Sequence, residues 1–276
     1  MDESRIDPRP SWAPEDLDIT KPNTARMYDF LLGGFHNFEV DRQIVRQSLK
    51  MFPEAPLHAK LSRRFLRKSV EYLANLGIDQ FLDIGSGIPT VGAVHESATA
   101  IIPNARIAYV DIDPVVVAHS KAILRDVPNA VIVEGDIRHP EQILSNEQIA
   151  KTIDFSKPVG LILVLLLHFV LDDEVAYRCV NKLKSKLASG SHVVLSHSTL
   201  EGAPPEIAAF FKSVTAKTPT PHKYRTKQEI EAFFEGTDLI EPGVVHLPLW
   251  QPESADDPLL EEPGRSLNYC GIGCAR

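Results

Sequence analysis

The segment Asp83-Ile84-Gly85-Ser86-Gly87 ends an apolar run with a carboxylate and two glycines, residue types that together can hold a charged small ligand. Glycine allows positive φ and lets the backbone approach a ligand with no Cβ in the way. A dinucleotide turn of the form GxGxxG would have its third glycine at position 90, where this chain has Thr90. Pro89 also removes one N–H donor from the expected helix start. The acid is what a phosphate-binding turn has no need of. A carboxylate at the strand end can accept hydrogen bonds from an ammonium, each contributing about 1.5–3 kcal/mol when charged groups take part. A local Asx turn is the other use of Asp83.

Two further acids stand where a doubly wound sheet would bring them beside the turn. Asp111 follows the predicted strand 105–110 and is placed to reach ribose hydroxyls. Ile112 is expected to pack on an adenine face. Asp113, before Pro114, reads as the N-cap of a helix over 115–125. Asp136, after the predicted strand 131–134, is the candidate for the adenine amino group, with a turn role as its alternative. Three strand ends carrying acids, with the incomplete glycine pattern, predict a nucleoside ligand bearing a positive group, and S-adenosylmethionine (SAM) is such a ligand.

The segments FLDIGSG (81–87), YVDIDP (109–114) and EGDIR (134–138) resemble motifs I, II and III of class I SAM-dependent methyltransferases. Further pieces narrow the resemblance to a bacterial S-adenosyl methyltransferase family formerly catalogued as a domain of unknown function. They are Ala25 to Gly34 with Asn37-Phe38 and Asp41-Arg42, Val94-His95-Glu96, Leu167-His168-Phe169-Val170, Leu195-Ser196-His197 and Glu241 to Val245. The resemblance covers almost the whole chain. It implies a Rossmann-like α/β fold, doubly wound, with a seven-stranded sheet in the order 3-2-1-4-5-7-6 and an antiparallel last strand. It also implies SAM as cofactor and S-adenosylhomocysteine as product. Cofactor contacts are expected from Gly85, Ser86, Gly87, Ile137 and Leu167, beside the three acids and Ile112.

Composition bounds the remaining classes. The chain has 276 residues, 43% of them hydrophobic, and suits one domain, with residues 1–60 as an extension and helical lid. A net charge of -8 argues against general affinity for nucleic acid. Lys60, Arg63, Arg64, Arg67 and Lys68 read as the solvated face of a helix that ends at Gly77. The opening Met1 to Ile6 lacks the basic and apolar regions of a signal peptide, and the apolar run 159–167 is too short to span a bilayer, so a cytoplasmic protein without membrane attachment is expected. Cys179, Cys270 and Cys274 form neither a disulfide framework nor a metal motif.

The run 159–167 reads as a buried strand, followed by a helix over 172–188 and a strand over 191–196. A helix over 204–216, a capping box Thr226 to Glu229 opening a helix to 235, and strands near Leu239 and over 268–274 complete the plan. His168 and His197 then fall just after the fourth and fifth strands, where ligands of open α/β sheets bind. His168 is proposed as general base or acceptor-orienting group and His197 as a second pocket residue; a structural histidine is the alternative for each. The segment after the fourth strand lacks the [DN]PP[YFW] motif of enzymes that methylate amino or amide nitrogens, and Asp172 and Asp173 come too late to be the metal ligands of catechol-type enzymes. No metal is expected. Arg26 is the candidate for the cofactor's methionyl carboxylate, with Tyr28 beside it, on a helix over 24–32 that Gly33-Gly34 breaks. Asp29, Asn37 and Asp41 serve the substrate or cap turns. The proline-rich stretch 247–264 is expected to be a surface loop beside the acceptor. The reading is therefore methyl transfer to a small-molecule acceptor; a non-catalytic SAM-binding module and a nicotinamide oxidoreductase are the alternatives.

Overall fold

The computed structural model describes residues 18–215 and 221–276. The opening segment 1–6 and Ala216, the expected end of a helix, lie outside the described residues. Three helices precede the sheet: α1 (Thr24–Leu31), α2 (Glu39–Met51) and α3 (Ala55–Asn75). The sheet begins with β1 (Gln80–Ile84) and continues through α4 (Val94–Thr99), β2 (Arg106–Asp111), α5 (Pro114–Ile123), β3 (Ala130–Glu134), α6 (Pro140–Ser145), α7 (Glu147–Thr152), β4 (Gly160–Val164), α8 (Asp173–Lys184) and β5 (His192–Ser198). After α9 (Pro205–Thr215) and α10 (Lys227–Glu231) come β6 (Thr237–Leu239), β7 (Val245–His246) and β8 (Asn268–Ala275).

The strand order is 3-2-1-4-5-8-6, with β7 pairing β8 off that path. The five strands β1 to β5 run parallel, whereas β8 is antiparallel to β5 and β6. This is the expected methyltransferase order, with the two-residue β7 as an eighth strand that the sequence pattern is too short to reveal. Alternation along the strands supplies both faces of the core. Leu82, Ile84, Leu161, Leu163, Val193 and Leu195 meet Ile149, Val180, Leu183 and Phe233 on one side. Phe81, Ile107, Ile162 and Val194 meet Phe65, Val70 and Leu73 of α3 on the other. Asp83, two residues from Phe81, therefore belongs to the α3 side of the sheet.

Several local expectations are corrected. The helix after the glycine turn starts at Val94, five residues beyond Pro89, so the proline lies in a loop and not in a helical first turn. There, the Glu96 carboxylate accepts from the Ala93 N–H, and the Tyr109 hydroxyl accepts from the His95 N–H. β4 ends at Val164, three residues early, because Leu165 adopts φ of +53°. β5 runs on to Ser198 and so contains His197. The basic face of α3 is not simply solvated: Arg64 pairs with Asp257, Arg67 with Glu71 and Glu253, and Lys68 with Glu253. That pairing holds the acidic 250–257 stretch against α3. Trp250 is buried there, edge-on to Phe65 at 5.2 Å, and does not form part of an open loop.

One close approach in the sheet is directly testable. A Cβ on Gly160 would lie 2.7 Å from the Phe81 ring. Gly160→Val is expected to destabilise the protein by about 1–3 kcal/mol through overpacking, read as a lower denaturant midpoint at unchanged m-value.

Candidate functional site

The carboxyl ends of β1, β2 and β4 converge on the glycine turn. Gly85 and Gly87 have φ of +73° and +61°, and a Cβ on Gly85 would sit 2.6 Å from Cδ1 of Leu166. Both the dihedral and the neighbour require glycine at 85. The Gly85 and Ser86 N–H groups donate to the Val110 carbonyl at 2.8 and 3.2 Å. Gly87 N–H donates to Asp111 Oδ2 at 2.8 Å, and Asp113 N–H to Asp111 Oδ1 at 3.0 Å. Asp111 thus fixes the turn against the end of β2. Burial raises its pKa, while the hydrogen bonds from Asp113 and Gly87 act in the other direction. Each of its oxygens retains acceptor capacity toward a ligand. Asp113 is the N-cap of α5, accepting from Val115 N–H at 2.8 Å. Ile112 between them leaves 54% of its surface exposed, an apolar surface next to the turn.

Asp83 differs from its neighbours. Only 5% of it is exposed, and among the described residues no donor hydrogen-bonds its carboxylate. Burial pushes its pKa up to about 7, with the charge of Arg63 opposing the rise and that of Asp111 adding to it. A buried carboxylate with no donor is costly by itself and is completed by a cationic ligand. The residues present therefore fit SAM: the Asp83 carboxylate for the ammonium, Asp111 for the ribose, Ile112 for the base.

Elsewhere the expected site separates into parts. Asp136 is held by its own Arg138, whose Nε donates to both carboxylate oxygens at 2.9 and 2.8 Å. The Ile137 and Leu167 side chains are buried in the core on the side of the sheet away from α3. The side chain that touches the turn is Leu166, brought there by the early end of β4. Arg26 is fully buried and engaged: Nε donates to Asp41 Oδ2 at 2.8 Å, Nη2 to Asp41 Oδ1 at 3.2 Å and to the Lys21 carbonyl, and Nη1 to the Asp18 carbonyl at 3.2 Å. Its place is inside the cap, not at a ligand. Tyr28 donates its hydroxyl to the Ala59 carbonyl at 3.2 Å and lies beneath the Arg63 guanidinium at 5.6 Å.

The cap rests on the turn through residues whose function the sequence did not disclose. Thr90 Oγ1, at the place of the missing third glycine, donates to Asp29 Oδ1 of α1 at 2.6 Å. Asp29 Oδ2 also accepts from His36 N–H and Asn37 Nδ2, both at 2.8 Å. Asn23 caps α1 and donates from Nδ2 to Asp113.

His168 and His197 do come together, with ring centroids 5.8 Å apart. His168 is 4% exposed, stacks on His222 at 4.9 Å, and has Nδ1 3.3 Å from Ser198 Oγ. Burial lowers its pKa well below the usual histidine value, helped by His197, His222 and Arg225. His197 is fully buried. Arg225 Nη1 donates to its Nε2 at 2.7 Å, so Nδ1 carries the proton and donates to the Ser198 carbonyl at 2.8 Å. Burial lowers its pKa to about 4. With both nitrogens engaged, His197 faces Arg225 and not an open pocket. Arg225 is a buried cation that no local pattern signals. It donates to Asp173 Oδ1 at 3.0 Å and to the Leu167 and Val170 carbonyls at 3.0 and 2.9 Å, bracketing His168. Among the described residues no group of three or more His, Cys, Asp or Glu could hold a metal ion, and no helix is long and apolar enough to cross a membrane.

Comparison with known proteins follows this geometry. The family described as S-adenosyl methyltransferase matches residues 10–276. The chain is similar to a protein from Thermobifida fusca YX described as a candidate methyltransferase, with 39% identity and a TM-score of 0.86 over 97% of this chain and 100% of that chain. It is also similar to a DUF574 family protein from Streptomyces avermitilis MA-4680, with 34% identity and a TM-score of 0.84 over 94% of this chain and 99% of that chain. No curated protein matches the chain.

Two measurements follow from the site. Because folding raises the Asp83 pKa from 3.8 to about 7, the folded protein holds an extra proton between those values. The stability of the unliganded protein is therefore expected to fall as pH rises from 4 to 7, and Asp83→Asn is expected to flatten that slope in denaturant titrations. Arg26→Met leaves Asp41 buried without its cation and is expected to destabilise the protein by about 3–5 kcal/mol. A variant of normal stability with lost cofactor affinity would instead return Arg26 to the ligand.

Proposed function

Since this chain belongs to the S-adenosyl methyltransferase family and is a SAM-dependent methyltransferase, we propose that it methylates a small-molecule acceptor lying over the carboxyl ends of β4 and β5, by in-line displacement. The observation that carries the donor side is the buried, donor-free carboxylate of Asp83 beside the glycine turn. When bound, SAM supplies a methyl already activated on a sulfonium and leaves as neutral S-adenosylhomocysteine. The protein's own contribution is then position and exclusion of water. In this reading Asp83 holds the ammonium, Asp111 the ribose through its remaining acceptor capacity, and Ile112 covers the base. The described part of residues 1–60 acts as a cap of the single catalytic domain, tied to the turn by Asp29 and Thr90.

A group of stacked rings supports a small acceptor. His168, Phe169, His222 and Tyr224 lie side by side after β4 and before α10, with the His168 and His222 planes 17° apart and those of His222 and Tyr224 15° apart. The nearby charges of Arg225 and Lys223 are both paired with Asp173. Arg64, Arg67 and Lys68 of α3 are paired with acids, which favours a metabolite over a nucleic acid.

The low pKa of His168 makes it a weak proton acceptor, and among the described residues no carboxylate hydrogen-bonds its ring. We assign it the orientation of the acceptor through a hydrogen bond, with the acceptor's proton leaving to solvent. His197 supports Arg225, which in turn fixes the turn that carries His168.

The test is incubation with SAM labelled in the methyl group and fractionated metabolite extract, followed by identification of the labelled product. Transfer to a small molecule is the expected result; formation of no S-adenosylhomocysteine with any fraction would leave a protein that only binds the nucleoside. With the acceptor in hand, His168→Ala is expected to lower kcat/KM by roughly 3- to 15-fold, the size of one neutral hydrogen bond. A loss above about 100-fold with a shifted pH profile would make it the base. Chelators are expected to leave the rate unchanged.

A further inference from the structure

The first turn of α3 stands at the same end of the sheet as the glycine turn. The Leu73 side chain, near the other end of that helix, comes 3.2 Å from the place of a Cβ on Gly160, the first residue of β4, so α3 runs against the strands. Its start therefore lies at their carboxyl ends, where open α/β sheets bind ligands. The cap helix α1 joins the two places. Ala25 lies 3.8 Å from the position of a Cβ on Gly87, and one turn later the Tyr28 hydroxyl donates to the Ala59 carbonyl. His58 is the residue before Ala59. Its Nε2 is buried and, among the described residues, has no hydrogen-bond partner. Burial, with the charge of Arg265 adding to it, lowers the His58 pKa to about 4, so the ring is neutral.

Side chains from elements far apart in the chain meet there. The Phe52 ring, between α2 and α3, packs edge-on against His58 with centroids 4.7 Å apart, and Phe211 of α9 packs edge-on against Phe52 at 4.8 Å. Both phenylalanines are half-buried. Arg265, from the short turn Pro263–Ser266 that leads into β8, forms an ion pair with Glu54. Glu54 stands one helical turn before His58, whose N–H donates to its carbonyl at 3.1 Å, so the two share a face at the start of α3. The Arg265 turn also adjoins the end of β5, since Thr199 N–H donates to the Leu267 carbonyl at 2.9 Å. The Arg265 Nη groups are taken by Glu54 and Glu262, while its Nε is buried and, among the described residues, has no partner.

A neutral imidazole nitrogen and a guanidinium N–H, each buried without a partner, are complementary to a group that donates and accepts at once. A carboxylate would meet Glu54 and Glu262 and has no proton to give an imidazole lone pair. An ammonium would leave the Arg265 N–H without an acceptor. A hydroxyl satisfies both, and the two phenylalanine rings beside it favour a flat ring over an alkyl chain. We propose that His58 is a specificity-determining residue of the acceptor site, which takes an aromatic ring bearing a hydroxyl. The hydroxyl bonds to His58 Nε2 and accepts from Arg265 Nε, and the ring packs on Phe52 and Phe211. The proposal rests on the methyltransferase reading given above, and the two can fail separately.

The experiment is an NMR titration of the full chain with phenol, with benzene, which lacks the hydroxyl, and with cyclohexanol, which lacks the aromatic ring. S-adenosylhomocysteine is titrated first and kept at saturation, so that the probes do not enter the donor site. Phenol is expected to bind roughly 10- to 100-fold more tightly than benzene, the range for a charge-assisted hydrogen bond, and more tightly than cyclohexanol. His58→Leu should cut the advantage over benzene by roughly 3- to 15-fold, the size of one neutral hydrogen bond, and leave benzene binding within about twofold, which also reports that the site is folded. His58→Gln should restore part of the advantage, as a side chain that only filled space would not. The proposal is overturned if wild-type protein binds phenol and benzene within about threefold of each other, a comparison that needs no variant. It is equally overturned if cyclohexanol binds as tightly as phenol, or if His58→Leu keeps the full ratio. Failure of S-adenosylhomocysteine to bind would remove the methyltransferase reading, while the ratio of phenol to benzene would still decide the place of His58.

Discussion

A carboxylate buried at the end of the first strand with no donor to satisfy it is the constraint around which this site is arranged. Asp83 occupies the α3 face of β1, between Phe81 of the core and the turn, in a register that sets it opposite Tyr109 and Ile162. Burial there disfavours the charged form and pushes the Asp83 pKa up to about 7, which the protein leaves uncompensated by its own hydrogen bonds. Such a group is retained where a ligand completes it. The opposing charge of Arg63 limits that cost without removing it.

The surrounding structure holds the turn beside that carboxylate. Val110 and Asp111 bind the turn from the β2 side, Leu166 packs on Gly85 from the β4 side, and α1 reaches the turn through Asp29 and Thr90. The cap itself depends on the buried Arg26–Asp41 pair, a contact of 2.8 Å that a half-satisfied partner could not replace. On the acceptor side Arg225 has the same role. One guanidinium gathers Asp173, His197 and the carbonyls on either side of His168, and so fixes the short 3-10 turn Leu167–Phe169 that carries it.

Much of this was legible before any coordinates. Strand ends carrying Asp83, Asp111 and Asp136, the capping by Asp113 and the box at Thr226 all follow from spacing and local chemistry, and the structure places each of these at the strand end or helix start expected. Long-range pairings were not legible. Arg26 and Arg63 are both arginines on helices, and only the fold shows that the first meets Asp41 and the second lies over the Tyr28 ring. The apolar run 159–167 does not show that Leu165 takes a left-handed conformation, which ends β4 early and sets Leu166 against Gly85. His197 lies within its strand and not after it, because pairing with β8, far along the chain, lengthens β5. Thr90 looked like a mere departure from a glycine pattern, since its partner Asp29 lies on the cap.

The central claim, that Asp83 is held protonated until a cation arrives, has a direct test in the protons released on binding. S-adenosylhomocysteine would be titrated calorimetrically at pH 6 in two buffers of different ionisation enthalpy. With the Asp83 pKa near 7 in the unliganded protein, about one proton should be released per ligand bound, and Asp83→Asn should release none. Binding by the wild-type protein with the same enthalpy in both buffers would contradict the account.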